Sequence, residues 1–281
     1  MRIAVIVVCY NEERLLPFFL DYYTSFCNEL VIFDGNSTDR SIDIIRSYIG
    51  TTNCNVELRI THSIGTLDYF DYGHLMEHWN GNWNLSLDYI RSYAWKNLFS
   101  KANNDWIMVV DVDEFLYHPL GIRNKLSRLK EQNITLPSIQ GFDMICDTYP
   151  VYDKTKFLPE VIKSGVWTEV QNKQLIFDAQ NISDINYNVG CHSHRAEGCI
   201  SIDTYSPFLD QIKNLHYKYL GYNEFIEKER RKHDNVSIYN RNRGLSWHYE
   251  RNMNMSIDDF HNLKNQDTYH DDVLTAISSK K

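Results

Sequence analysis

Apolar residues in the first part of this chain fall into short β-branched runs that alternate with amphipathic stretches. Ile3–Val8 and Glu29–Phe33 predict buried strands, and Leu15–Cys27 between them predicts a helix with an apolar stripe. A helix over Ser41–Ile49 and a third strand over Val56–Ile60 follow. The order β-α-β-α-β favours a parallel sheet with right-handed crossovers, so the pattern predicts an α/β fold.

Similar patterns recur along the rest of the chain. Leu85–Ser100 predicts a helix and Ile107–Val110 a short buried strand, whereas Thr61–Asn84 has no regular period and is predicted to be irregular. The later predicted elements are a helix over Gly121–Gln132, a strand over Ser138–Cys146 that continues the sheet, a strand at the end of Val166–Phe177, a strand over Ile212–Tyr219 and a helix over Tyr222–His233. The alternating charges of Glu227–His233 are typical of a solvated helix face.

Composition narrows the class of protein. The chain has 281 residues, 43% of them apolar, which is enough for one large α/β domain with an appendage. A formal net charge of -8 argues against a general nucleic-acid binder. The six cysteines show no CxxC spacing, which is typical of free thiols in a cytoplasmic protein and not of a disulfide framework. The first apolar run is too short for a signal peptide. No apolar run approaches about 18 residues, so any membrane contact is expected to be peripheral.

Three acidic residues, Asp111, Asp113 and Glu114, follow the run Ile107–Val110 where the predicted strand ends. In an open α/β sheet, ligands bind just beyond the carboxyl ends of the strands. Carboxylates this close repel one another unless a cation lies among them. Hard oxygen donors suit Mg²⁺ or Mn²⁺, which also hold substrate diphosphates. The alternative is a strand end that meets water, because an Asp-x-Asp pair also arises by chance.

Two other predicted strands end in polar loops that would meet the acidic one at a switch point of the sheet. The first loop carries Asn11 and Glu12, and the second carries Asp34 and Asp39. Ordinary turn chemistry is the alternative for each loop. Arg91, near the start of a predicted helix, is a candidate phosphate contact, with a solvated arginine as the alternative. Neither the dinucleotide-binding glycine motif nor the P-loop motif occurs.

Four of these segments stand in an order and spacing that resemble a known family. They are Cys9-Tyr-Asn-Glu-Glu, Asp34-Gly-Asn-Ser-Thr-Asp-Arg-Ser, Arg91 followed by Asp105-Trp-Ile, and Asp111-Val-Asp-Glu-Phe. Together they resemble the nucleotide-sugar half of a GT-A fold glycosyltransferase of the family 2 type, over roughly residues 3 to 117. The resemblance implies a mostly parallel central sheet flanked by helices.

The resemblance also implies roles for individual residues. The residues expected to contact a nucleoside diphosphate sugar are Cys9, Tyr10, Asn11, Glu12, Asp34, Asp39, Arg91, Asp111 and Val112. Asp113 is expected to bind Mn²⁺ or Mg²⁺ directly, and Asp111 is expected to approach both the ribose and the metal. His216 is the candidate third ligand, because a neutral imidazole suits Mn²⁺. A partly buried structural histidine is the alternative.

Val166–Phe177 resembles the tryptophan-containing segment that precedes the last sheet strands in bacterial family 2 enzymes. Lys173 stands where those enzymes often carry an arginine, and it is expected to contact a phosphate of the donor. Lys218 is expected to meet the departing phosphate. Inversion at the anomeric carbon, implied by the resemblance, needs one general base. Glu169 is the first candidate for that base. Asp143 and Glu197 remain alternatives.

A second candidate metal site stands later in the chain. Cys191, His192, His194 and Cys199 could be interpreted as a zinc cluster, but their spacing matches no standard finger. A histidine-containing turn in the acceptor cleft fits this stretch better.

These observations predict the domain organisation and the reaction. Residues 1–220 form the GT-A domain, with 1–117 as the nucleotide-sugar half and 118–220 as the acceptor half, and 221–281 form a helical extension. The expected activity is metal-dependent, inverting transfer of a sugar to a hydroxyl of a glycan or glycoconjugate. A nucleotidyltransferase is one alternative, although Cys9–Glu13 is not a Gly/Arg/Lys-rich loop. A non-catalytic carbohydrate-binding protein on a degenerate transferase fold is the other, and intact Asp111 and Asp113 argue against it.

Overall fold

The secondary structure follows the alternation of apolar runs and amphipathic stretches. The structure is a computed structural model that describes residues 1–61, 76–79, 82–85, 87–99, 104–203, 206–207, 210–234, 241, 244 and 247–275. Its strands are β1 Ile3–Cys9, β2 Glu29–Asp34, β3 Asn55–Ile60, β4 Met76–Trp79, β5 Asn82–Leu85, β6 Trp106–Asp111, β7 Glu114–Tyr117, β8 Ile139–Cys146, β9 Gly165–Trp167, β10 Ile176–Asp178, β11 Ile182–Tyr187, β12 His194–Gly198, β13 Ile212–Leu220 and β14 Tyr269–His270. Its helices are α1 Leu16–Thr24, α2 Ser41–Tyr48, α3 Leu87–Leu98, α4 Ile122–Glu131, α5 Leu158–Val161, α6 Tyr222–Asp234, α7 Trp247–Met253 and α8 Ile257–Asn262.

The first sheet has the strand order β10-β6-β1-β2-β3, in which all neighbours are parallel except β10, which runs antiparallel to β6. Its central strands are buried on both faces, which explains why they appear in the sequence as continuous apolar runs. The register sets Cys9 of β1 opposite Asp34 of β2, and Val8 of β1 opposite Asp111 of β6. The polar residues that follow these strands therefore meet at one edge of the sheet.

Helix α1 connects the first sheet to the second. Pro17 lies in its first turn, where a missing N–H costs nothing. The hydroxyl of Tyr22 donates to the carbonyl of Leu116, and the hydroxyl of Tyr23 donates to the carbonyl of Glu114, each at 2.8 Å. Both carbonyls belong to β7, so α1 fixes the strand that directly follows the acidic turn.

The second sheet has the strand order β14-β9-β8-β13-β7, with β8 and β13 parallel and the other neighbours antiparallel. The prediction that Ser138–Cys146 continues the first sheet is wrong, because β8 pairs with β13 and β9. Strand β10 already pairs with β6, with Ile176 opposite Met108, so that edge of the first sheet is closed to β8. The predicted strand at the end of Val166–Phe177 is this β10.

The last part of the chain packs against the second sheet. Gly221, at a φ of 75°, turns the chain from β13 into α6, and the helix packs through Phe225 against Phe260 and Tyr219. Strand β14 pairs with β9, and the Lys213 ammonium group donates to backbone carbonyls of the following segment. Residues 221–281, predicted as helical, thus also contribute a strand, and their division from the rest of the chain remains a prediction.

The predicted α/β class is confirmed, and most predicted elements end within a few residues of the observed ones. Leu15–Cys27 is longer than α1, because the chain leaves the helix after Thr24. Thr61–Asn84 lies largely outside the described residues, although β4 falls within it and pairs antiparallel with β5. None of the helices in the described ranges combines the length and apolar character that crossing a membrane requires.

Candidate functional site

The loops after β1 and β2 interlock at the carboxyl edge of the first sheet. The backbone N–H of Asn11 donates to Ser37 Oγ at 2.8 Å, and Asn11 Oδ1 accepts the N–H of Thr38 at 2.7 Å. The N–H of Glu12 donates to Ser41 Oγ at 2.9 Å. Asn11 has a φ of 52°, a left-handed conformation that asparagine tolerates better than most residues. The two loops therefore form one cross-linked wall.

Asp34 lies inside this wall. Its carboxylate accepts the N–H and the hydroxyl of Ser37, both at 2.7 Å, and its side chain is fully buried beside Cys9. Burial raises the pKa of Asp34 above its ordinary value, although the hydrogen bonds from Ser37 oppose that shift. Asp39 in turn accepts the N–H of Ser41 at 2.9 Å. The carboxylates of Asp34 and Asp39 thus stabilise the loop after β2. A contact between either of them and a nucleotide remains a prediction.

Arg91 on α3 reaches the acidic turn. Its guanidinium lies 2.6 Å from Asp111 Oδ1, and its side chain is only 10% exposed, so the alternative of a solvated arginine is wrong. Burial alone would raise the pKa of Asp111, but the charges of Arg91 and Lys173 outweigh it and lower that pKa. Asp111 is therefore held as a carboxylate whose charge is balanced by a helix cation.

Lys173 forms a buried ion pair instead of standing free for a phosphate. Its ammonium group lies 2.7 Å from Glu114 Oε1, and the two side chains are 5% and 2% exposed. The other carboxylate oxygen of Glu114 accepts the N–H of Asp111 at 2.9 Å. Burial would lower the pKa of Lys173, but Glu114 and Asp111 raise it. The pair braces the turn that presents Asp111, and a direct phosphate contact by Lys173 remains a prediction.

His216 connects two carboxylates from different elements. Strand pairing sets His216 of β13 beside Asp143 of β8, and its Nδ1 lies 2.6 Å from Asp143 Oδ1. Its Nε2 lies 3.6 Å from Asp113 Oδ2. Burial alone would lower the pKa of His216, but Asp113 and Asp143 raise it above its ordinary value. Both ring nitrogens therefore face a carboxylate, and neither stands free for a metal in this arrangement.

A close backbone contact places the segment that carries Glu169. A Cβ at position 141 would lie 2.2 Å from the backbone carbon of Gln171, so only glycine fits on β8 at that point. The 3-10 turn Glu169–Gln171 packs there, and Gln171 Nε2 lies 3.0 Å from His216 Nδ1. Glu169, the first residue of this turn, is exposed, and its carboxylate takes part in no ion pair with any other described residue.

The other two candidate bases are already engaged. Asp143 is hydrogen-bonded to His216; burial alone would raise its pKa, but His216 and Lys218 lower it. Glu197 lies on the exposed hairpin β11–β12, where it pairs with Arg195 at 2.6 Å. Of the three candidates, only Glu169 forms no ion pair with another described residue, and its role as the base remains a prediction.

Helix α6 brings three cations to the same edge. The Lys228 ammonium group lies 3.0 Å from Glu12 Oε1 and 3.0 Å from Asp113 Oδ2. Lys232 lies 3.5 Å from the same oxygen of Asp113, and Arg231 lies 3.6 Å from Glu12. The prediction of a solvated helix face is wrong for Lys228, whose side chain is only 15% exposed, whereas the side chains of Arg231 and Lys232 are 34% and 33% exposed. Lys228, Arg231 and Lys232 are spaced i, i+3, i+4 in the sequence, and this spacing predicts that they lie on one face of a helix.

The residues expected to hold a divalent ion do not fit one as arranged. Asp113 Oδ2 faces two ammonium groups, Asp111 is paired with Arg91, and the two ring nitrogens of His216 face Asp143 and Asp113. Within the described ranges, no group of three or more His, Cys, Asp or Glu side chains is positioned to hold a metal ion, and this includes the Cys191–Cys199 stretch. Metal dependence therefore remains a prediction, and the geometry offers cations of the chain itself in that place.

No family model matches this chain, and neither does any curated protein. Among solved structures it is similar to that of S. aureus TarS, with 17% identity and a TM-score of 0.35, covering 64% of this chain and 28% of that chain. It is also similar to TarS 1-349 in complex with UDP-GlcNAc, with 13% identity, a TM-score of 0.38 and coverage of 94% and 72%. The same segment in complex with UDP gives 12% identity, a TM-score of 0.40 and coverage of 95% and 73%. At this level of similarity, the functional conclusion rests on the site.

Proposed function

We propose that this protein is a GT-A-type glycosyltransferase that moves a sugar from a nucleoside diphosphate sugar to a hydroxyl of a glycan or glycoconjugate. The single observation that carries the proposal is the shared edge of β6, β1 and β2. Register sets Asp111 and Asp34 on either side of the β1 terminus, and Arg91 pairs with Asp111, so the polar loops after β1, β2 and β6 meet at one edge of the sheet. The crevice at such an edge is where open α/β sheets bind nucleotides.

The charges of the crevice support a phosphate-containing ligand. Arg91 and Lys228 are both largely buried and lie at the edge where the strands end. Burying a cation is costly, and a plain strand end that meets water has no need of it. A site with cations next to carboxylates suits a sugar diphosphate. The cations can pair with the phosphate oxygens, and the carboxylates can accept hydrogen bonds from the sugar hydroxyls.

The proposed reaction balances without any redox partner. The acceptor oxygen forms a bond to the anomeric carbon, and the bond between that carbon and the diphosphate oxygen breaks with its electron pair passing to the diphosphate. The acceptor proton passes to a carboxylate, for which Glu169 is proposed. Inversion at the anomeric carbon remains a prediction from the family 2 resemblance, and the anomeric configuration of the product, read by NMR, tests it.

A product assay separates this proposal from the two alternatives. The protein is incubated with UDP-, GDP- and dTDP-sugars, and release of nucleoside diphosphate is followed. A nucleotidyltransferase would instead release pyrophosphate from a nucleoside triphosphate and a sugar phosphate. A carbohydrate-binding protein would bind glycans with no nucleotide affinity by calorimetry. Release of a nucleoside diphosphate from none of the donors, together with no nucleotide binding, would refute the transferase proposal.

Asp111→Asn should raise the dissociation constant of the best-bound nucleotide by about tenfold or more, because a hydrogen bond to a charged group contributes about 1.5–3 kcal/mol. Calorimetry with the full chain measures it. The matched control is Asp184→Asn. Asp184 pairs with Lys96, another cation of α3, at the same distance of 2.6 Å, and the Asp111 and Asp184 side chains are 31% and 25% exposed. Equal effects of the two substitutions would mean that Asp111 has no contact with the ligand.

A further inference from the structure

Helix α6 carries a basic face that its own packing does not require. The helix is anchored by Phe225, which is buried against Phe260, and by Glu229, whose carboxylate accepts the side-chain amide of Asn252 at 2.6 Å. Lys228 and Lys232 take no part in these contacts. They extend toward the edge of the first sheet instead. The contacts that anchor the helix are therefore separate from the contacts that its two lysines make.

The two lysines converge on one carboxylate oxygen. Lys228 and Lys232 lie 3.0 Å and 3.5 Å from Asp113 Oδ2, and Lys228 also bridges to Glu12 on the loop after β1. The helix thereby connects two of the three strand-end loops. Asp113 therefore anchors both ammonium groups at the edge where the strands end.

Stability alone is a weak reason for this arrangement. Removing charged groups from water costs several kcal/mol per ion, and apolar residues of similar volume often stabilise a fold as well or better. A pair of ammonium groups at the end of a nucleotide crevice does have a chemical use. Together with Arg231, the two lysines set three positive charges against the carboxylates of Asp113 and Glu12. The positive charge that remains lies where a leaving diphosphate gathers negative charge, which is the role that a divalent ion serves in other transferases.

We propose that Lys228 and Lys232 of α6 take the place of the divalent ion and stabilise the leaving diphosphate, so that this enzyme needs no metal. The inference deepens the proposed function and rests on it. As the bond between the anomeric carbon and the diphosphate oxygen breaks, the electron pair passes to the diphosphate, and the two ammonium groups donate hydrogen bonds to its oxygens. Asp113 serves as a positioning residue that holds both lysines in place.

The first test uses the unmodified full chain and UDP, GDP and dTDP as probes. Nucleotide affinity and donor turnover are measured in excess EDTA and again with added Mn²⁺ or Mg²⁺. We expect both quantities to be the same within about twofold under all conditions, because the positive charge belongs to the protein. Nucleotide binding or turnover that disappears in EDTA and returns with the metal would overturn the role of the lysines while leaving the transferase proposal intact.

The second test removes the charges one at a time. Lys228→Gln and Lys232→Gln should each weaken binding of the best-bound nucleotide by about tenfold, since each loses one charge-assisted hydrogen bond. Arg230→Gln is the matched control, because Arg230 is exposed on the same helix and its loss changes the net charge equally. Thermal unfolding of each variant checks that the fold is retained.

Two further outcomes are decisive. If Lys232→Gln creates metal-dependent binding that is tighter than that of the wild-type chain, the lysines cover a metal site, and the inference is wrong. If no nucleotide binds the wild-type chain with or without metal, the transferase proposal fails and this inference fails with it. The two failures are distinguishable, because only the first leaves nucleotide binding in place.

Discussion

Glu169→Gln is expected to lower the turnover number by about 10²- to 10⁴-fold while nucleotide affinity stays unchanged, as removal of a general base does. Two features of Glu169 support this expectation, namely its place in the turn beside His216 and its carboxylate without an ion pair. Glu169 begins the 3-10 turn whose Gln171 contacts His216, and its carboxylate forms no ion pair with another described residue. Asp143, by contrast, is hydrogen-bonded to His216, and its lowered pKa makes it a weaker base. Single-turnover rates and calorimetry on the same samples measure the two quantities.

The control for this prediction is Glu131→Gln, which removes an exposed carboxylate from the end of α4 and should leave both quantities unchanged. Asp143→Asn provides the decisive comparison. If Glu169→Gln turns over normally and Asp143→Asn does not, the base is Asp143, and the hydrogen bond from His216 must then open during the reaction.

Lys173→Met is expected to destabilise the fold by about 3–5 kcal/mol, because it leaves the carboxylate of Glu114 buried without its counter-charge. Both side chains of this pair are almost fully buried, and Glu114 also accepts the N–H of Asp111, so the loss should loosen the turn that presents the acidic residues. Urea unfolding followed by tryptophan fluorescence gives the free energy of unfolding.

Two variants make this second prediction specific. The double variant Glu114→Gln/Lys173→Met removes both charges and should recover much of the lost stability, because no unpaired ion remains in the interior. Lys154→Met removes an exposed lysine and should change the free energy of unfolding by no more than about 0.5 kcal/mol. A loss for Lys173→Met no larger than that of Lys154→Met would show that water already reaches the Glu114 carboxylate.

Several features were predicted from local pattern alone, because that pattern reflects a local physical rule. The run Ile3–Val8 has to be buried on both faces wherever it packs, and polar residues after parallel strands share one edge of the sheet. Asn11, Asp34 and Asp111 could therefore be assigned to one crevice without coordinates. The strand β8 could not be assigned to its sheet in this way, because its apolar pattern fits either sheet and the pairing of β10 with β6 decided between them.

The sequence by itself determined the α/β class, the central strands and the polar loops of the crevice, since periodicity and strand-end chemistry are encoded within short windows. The tertiary structure alone decided which charges meet: Arg91 with Asp111, Lys173 with Glu114, and the α6 lysines with Asp113. A helical period reveals that Lys228 and Lys232 share a face but not what that face meets. Coulombic pairing depends on distances between residues remote along the chain, and those distances exist only after the two sheets and α6 have packed together.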